Sequence, residues 1–286
     1  MKRKRLSFLR RQIALTIFVG ALPFIINASA HAEATGESKW LDDYHQPVGL
    51  TYGAKATLNS TYIWRGLYSG ATNVQLDANV GYGGLYADMW WNIGTEEWSF
   101  TKFQPEVDIS IGFERWGLNV YVLYIHNFNC GFFDFANYAD KGNRLELNAI
   151  YTVSSKLPLS FRWGTRVSAA DGYLNEQGEL KYAYSSYAEI SYTQALPYDL
   201  SLFGAVGLTP WRSVYTGYRS GFGVTNIDIR LRKDWTLSEH CGLMLMGQLT
   251  LNPYLLATDK ESVAWHVTTP WNQSINANIG VGVYLK

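Results

Sequence analysis

The chain has 286 residues with 24 Lys+Arg against 24 Asp+Glu, but the balance is uneven. Six of the basic residues and none of the acidic ones fall in the first 32 positions, so the remaining ~254 residues carry 18 basic against 24 acidic side chains, a net of −6. That excludes a basic nucleic-acid-binding face, and two cysteines, Cys130 and Cys241, exclude a disulfide framework.

The chain opens on MKRKRLSFLRRQ, a basic stretch followed by an apolar run from Ile13 to Ile26. Ala28-Ser29-Ala30 and Ala30-His31-Ala32 then offer small-x-small cleavage sites. This is the pattern of a secretory signal peptide, residues 1–32, with cleavage after Ala32 or alternatively after Ala30. Residues 33–47 read as a short periplasmic segment ahead of the main domain. No later stretch holds 18 consecutive apolar residues, so no spanning helix is expected.

From residue 48 on, the hydrophobic period is two. Leu50, Tyr52, Ala54, Ala56 and Leu58 share one parity, and Thr51, Gly53, Lys55 and Thr57 the other. The alternation extends through Tyr62 and Trp64, predicting one long first strand. Val74 to Tyr82 alternates likewise, turns at Gly83-Gly84, and resumes from Leu85 to Ile93. Further strands are predicted over 103–113, 118–125, 144–153, 159–167, 187–193, 200–208, 226–235, 243–251 and 275–285. That makes twelve.

The connections alternate too. Short turns follow the even-numbered strands, and longer aromatic or polar segments such as 127–143, 169–184 and 253–273 follow the odd-numbered ones. An even strand number with short turns on one side and long loops on the other predicts an all-β fold, a transmembrane antiparallel up-and-down β-barrel over residues 48–286. A soluble antiparallel barrel would also alternate, but its water-facing parity would carry many Lys and Glu. Here that parity is mostly Asn, Ser, Thr and Gly. On the apolar parity, Tyr52, Tyr82, Phe113, Tyr151, Tyr192 and Trp235 fall at matching depths near the short turns, as an interfacial aromatic girdle does. Tyr62 and Trp64 are expected to face lipid at the loop end, with Arg65 on the opposite parity at the lumen mouth.

At STYIWRGL, and in its polar-in, apolar-out strands, the chain resembles outer-membrane barrel proteins of Gram-negative bacteria. Among them is a porin family with an aromatic-x-aromatic-Arg-Gly segment at the end of its first strand, matched here by Tyr62, Trp64, Arg65 and Gly66. The resemblance implies an outer-membrane protein surrounded by lipid and inserted by the barrel-assembly machinery. One departure is the C-terminus, Val283-Tyr284-Leu285-Lys286, where many such barrels end on an aromatic.

The predicted lumen parity carries an acidic wall of Asp77, Asp88, Glu106 and Asp108 and a basic wall of Arg162, Arg166, Arg230 and Arg232. Opposed charged walls orient polar or charged solutes in a pore. The alternative is that these groups pair with one another, or with Glu146 and Glu189, and fill a closed interior. Loop residues Phe128, Phe132, Phe133, Phe135 and Tyr138 are too apolar for a freely solvated loop. They are expected to form a constriction, a cover, a ligand contact or a packing cluster. His126 and His266, with Asp134, Asp140, Asp259 and Ser262 in the same general region, are the residues an outer-membrane hydrolase would draw on, but no spacing points to catalysis. No metal-ligand spacing and no cofactor motif occur. Cys130 and Cys241 are predicted on opposite sides of the membrane, beyond disulfide reach.

Overall fold

The computed structural model describes residues 49–95, 103–128, 130–135, 142–168, 171–257 and 274–285. The predicted leader and the 33–47 segment lie outside the described residues. In chain order the strands are β1 (Leu50–Asn59), β2 (Tyr62–Trp64), β3 (Leu67–Gly70), β4 (Asn73–Tyr82), β5 (Leu85–Thr95), β6 (Phe103–Arg115), β7 (Leu118–His126) and β8 (Arg144–Thr152). They continue with β9 (Leu159–Arg166), β10 (Gly172–Leu174), β11 (Leu180–Tyr182), β12 (Ser186–Leu196), β13 (Leu200–Thr209), β14 (Gly223–Ser238), β15 (Cys241–Leu251) and β16 (Ile275–Leu285). A 3₁₀ turn, Val214–Thr216, and a five-residue helix, Pro253–Ala257, interrupt the strands.

Twelve of the strands close into one barrel in the order β1-β4-β5-β6-β7-β8-β9-β12-β13-β14-β15-β16, each antiparallel to its neighbours. Closure joins the first strand to the last: Ala54 pairs with Leu285 and Asn59 with Gly280. The ring leaves no edge, so each strand finds its backbone partners inside the protein, as a sheet in lipid requires. The remaining strands form two small hairpins, β2–β3 and β10–β11, inserted at the loop end.

The two faces differ as the alternation predicts. Outward residues such as Ile111, Ile190, Ile229, Leu249 and Ile279 are large, apolar and exposed. Inward residues such as Thr57, Ser110, Asn148, Ser191, Asp228 and Asn278 are polar and buried. A water-soluble barrel has the opposite arrangement, so this is a transmembrane barrel. An apolar sector of the lumen is formed by Tyr121, Leu123 and Ile125 of β7 and Ile150 of β8.

The long first strand is corrected. β1 ends at Asn59, and the chain leaves the wall there because Asn278 of β16 captures it. The Asn278 side-chain oxygen accepts from Ser60 Oγ and the Thr61 backbone N–H, both at 3.2 Å. The chain returns at Asn73, whose side-chain oxygen accepts from Asn59. The segment between folds into the barrel as the β2–β3 hairpin.

Candidate functional site: an inward hairpin across the lumen

Trp64 pairs with Leu67, so Arg65-Gly66 is a two-residue turn. Both residues have positive φ, 51° and 83°, the geometry of the tight turns that match strand twist. Glycine accepts this conformation readily; an arginine does so at a steric cost. The position therefore holds Arg65 for its side chain, and the side chain is heavily engaged. Its Nη2 lies 2.8 Å from Glu146 Oε2 on β8, and its Nη1 donates to the Tyr215 hydroxyl. The guanidinium carbon sits 4.5 Å from the Trp64 ring centre, 4.9 Å from Tyr187 and 5.5 Å from Tyr215, within cation–π range of all three.

The second oxygen of Glu146 is held by Arg166 Nε of β9 at 3.2 Å. Tyr215, on the 3₁₀ turn, donates to the same oxygen at 3.4 Å. Burial pushes the Tyr215 phenol above its usual range, so it remains a donor. The result is an Arg–Glu–Arg cluster with side-chain exposures of 4%, 0% and 3%. A buried carboxylate is tolerated because both its oxygens are ion-paired.

The hairpin tip reaches the far wall as well. A Cβ at Gly66 would overlap the backbone carbonyl of Thr225 on β14, and the Gly66 carbonyl accepts from Asn252 at 3.2 Å. At its base, Tyr62 donates to Glu106 of β6 at 2.8 Å and its ring lies 5.4 Å from that of Trp90 of β5. One hairpin thus touches walls on several sides of the ring. Tyr62 and Trp64, expected to face lipid, face the lumen interior: Trp64 packs on Tyr215 and against the apolar sector of β7 and β8. Arg65, expected at the mouth, is buried in the interior.

The basic residues are compensated by neighbouring carboxylates, whereas on the acidic wall Asp88 Oδ1 and Asp108 Oδ1 are buried with no hydrogen-bond partner among the described residues. Asp77 of β4 stands opposite Lys55 of β1 in register, and Trp90 of β5 stands opposite both Asp77 and Asp108. Asp88 and Glu106 lie on the same two strands as Trp90 and Asp108, respectively. The basic residues form two groups separated by β12 and β13. Arg162 faces Glu189 in register and Arg166 binds Glu146. On β14, Arg230 contacts Asp228 at 2.6 Å and Arg232 contacts Asp234 at 2.9 Å. The side chains of this second group keep 20%, 16% and 29% exposure at Arg230, Arg232 and Asp234, so water reaches the lumen below the sealed Arg65 cluster.

On the outer face near the short turns, Tyr52, Tyr82, Tyr151, Tyr192 and Trp235 are exposed and Phe113 is half-buried. The aromatic loop after β7 is not the constriction. Phe128 and Phe132 pack around His126, and Phe132 and Phe135 around Tyr124. These two β7 residues continue the outward parity of Leu118, Val120 and Val122. His126 Nδ1 lies 2.6 Å from Asn143 Oδ1, which fixes the ring as a packing element. Tyr138, Asp140, Asp259, Ser262 and His266 lie outside the described residues.

Tyr187 and Tyr215 were not singled out by sequence; the available signals were an aromatic, Tyr187, on the polar parity of its strand and the aromatic-rich loop 210–222 that carries Tyr215.

No family model matches the chain, and no curated protein matches it. Among solved structures it is similar to the NanC porin at 12% identity, covering 82% of this chain and 100% of that one with a TM-score of 0.47. An outer-membrane channel from Pseudomonas putida F1 aligns at 12% identity over 85% of this chain and 98% of that one, TM-score 0.45. OmpF of Salmonella typhi aligns at 8% identity over 82% and 97%, TM-score 0.36.

Proposed function

We propose that the protein is a porin-like channel of the Gram-negative outer membrane for small polar or charged solutes, narrowed by the β2–β3 hairpin. The observation that carries this reading is the ring itself: apolar and exposed outside, polar inside, with Arg230, Arg232 and Asp234 still reached by water. Lipid contacts the outer face, and insertion falls to the barrel-assembly machinery. The acidic residues Asp77, Asp88, Glu106 and Asp108 and the arginines Arg162, Arg166, Arg230 and Arg232 would set the charge preference of the path. The aromatic residues near the short turns would hold the barrel at the periplasmic interface.

A second reading, a plugged barrel, is favoured by one observation: the hairpin contacts β6, β8 and β14 together. Planar-bilayer recording separates the two. Conductance steps from the folded wild-type barrel support the channel. Silence from the wild type, with conductance after replacing residues 61–71 by a short Gly-Ser link, supports the plug and overturns the open path.

A further inference from the structure

The Arg65 cluster contains more hydrogen-bond donors than it uses. Arg65 Nε, Arg166 Nη1 and Asn148 Nδ2 are all buried and have no hydrogen-bond partner among the described residues. The three side chains are joined by direct contacts: Arg65 Nη2 donates to Asn148 Oδ1 at 3.4 Å, and both arginines hold Glu146. All three are more than nine-tenths buried. Leaving one buried donor unsatisfied costs about 1–3 kcal/mol, more for a charged group, and native structures rarely leave three together. The unmatched atoms here are all donors, and two sit on cations. Such a set calls for acceptors, and planar guanidinium groups match a carboxylate best.

We propose that this cluster is a binding site for a small carboxylate anion at the constriction, formed by Arg65, Arg166 and Asn148. Glu146 occupies part of the same donor set from the wall, and the incoming carboxylate takes the donors that Glu146 leaves open. Trp64, Tyr187 and Tyr215 close the apolar side around Arg65. The site deepens the channel reading and rests on it for its role in transport: a solute bearing a carboxylate would be held at the narrowest point. Asn148, being neutral, leaves two arginines facing the single carboxylate of Glu146, a balance that an aspartate would cancel. Its amide donates where an aspartate would repel.

The test is calorimetric titration of the refolded barrel in detergent with sodium acetate, in a background of sodium chloride at matched ionic strength. Folding is checked by the heat-dependent shift in gel mobility. The expected result is saturable acetate binding by the wild type, weakened at least tenfold in Asn148→Asp. Arg166→Lys keeps the charge but removes Nη1, and it weakens binding in the same direction if the first variant fails to fold. No saturable acetate binding by the wild type, meaning that water alone meets these donors, overturns the site. Wild-type affinity in a folded variant of either kind does the same. Calorimetry needs no conductance, so a barrel that binds acetate but conducts nothing keeps the site and loses the channel.

Discussion

Arg65 Nη2 lies 2.8 Å from Glu146 Oε2, and neither side chain is appreciably exposed. The two residues are 81 positions apart in sequence and belong to different parts of the barrel, one to an inserted hairpin and one to the wall. Their contact latches the hairpin across the lumen. Removing one partner of a buried pair leaves an uncompensated charge and costs about 3–5 kcal/mol. Glu146→Gln leaves two buried guanidinium groups with no carboxylate between them. We expect the hairpin to leave its seat more often, giving larger or more frequent conductance steps while the closed ring stays folded. Step sizes matching the wild type in planar bilayers would show that the pair does not hold the hairpin.

Gly66 gives an independent handle on the same element. It has φ 83°, and a Cβ there would overlap the Thr225 carbonyl. Gly66→Ala therefore meets both a conformational and a steric barrier, whereas Gly83→Ala, at another positive-φ turn with nothing within 4 Å, meets only the first. The tip variant should raise conductance and open the hairpin to added protease. The Gly83 variant should do neither. Equal behaviour of the two would mean that contact with β14 is unimportant.

Much of the barrel was legible because its causes are local. A period of two, a short turn at Gly83-Gly84 and a polar parity of Asn, Ser and Thr each follow from neighbouring residues. The hairpin was not legible, because its causes are distant. Between Leu50 and Trp64 the alternation lapses only at Ser60 and Ile63 and then resumes in phase, so parity carried Tyr62 and Trp64 to the lipid face. The chain is turned inward by Asn278, which is 217 residues from Thr61. Arg65 finds Glu146 and Tyr215 only once the ring has closed. The same limit applies to the charged walls. Arg230–Asp228 and Arg232–Asp234 are neighbours two positions apart on one strand and could be paired from sequence. Arg166–Glu146 depends on the register between β8 and β9.

The outer face makes a quantitative claim. Leu245 is exposed near the middle of β15, and Gln248 of the same strand points inward to Asp228. A cationic side chain on the lipid face near the midplane costs about 2–4 kcal/mol. Leu245→Arg should lower unfolding stability in lipid vesicles by about that amount. Gln248→Arg keeps Asp228 as its neighbour and should change stability far less. The same loss in both variants would contradict the assignment of the two faces.

The cysteines test the orientation. Cys130 and Cys241 are both free. Cys241 opens β15 beside Leu285 of the final strand, at the short-turn end. Cys130 lies beyond the far end of β7, where its thiol contacts the Asn143 side chain at 3.5 Å. Their separation is about the thickness of the apolar layer, roughly 30 Å, while a disulfide needs Cα atoms within about 7 Å. The protein should migrate identically with and without reductant. Burial pushes the Cys130 thiol up from its ordinary range, so less of it is thiolate near neutral pH, and labelling by a maleimide should quicken as pH rises. In intact cells a membrane-impermeant maleimide should reach Cys130 and spare Cys241, whereas permeabilised cells should label both. Labelling of Cys241 alone in intact cells would invert the barrel, placing the hairpin end in the periplasm.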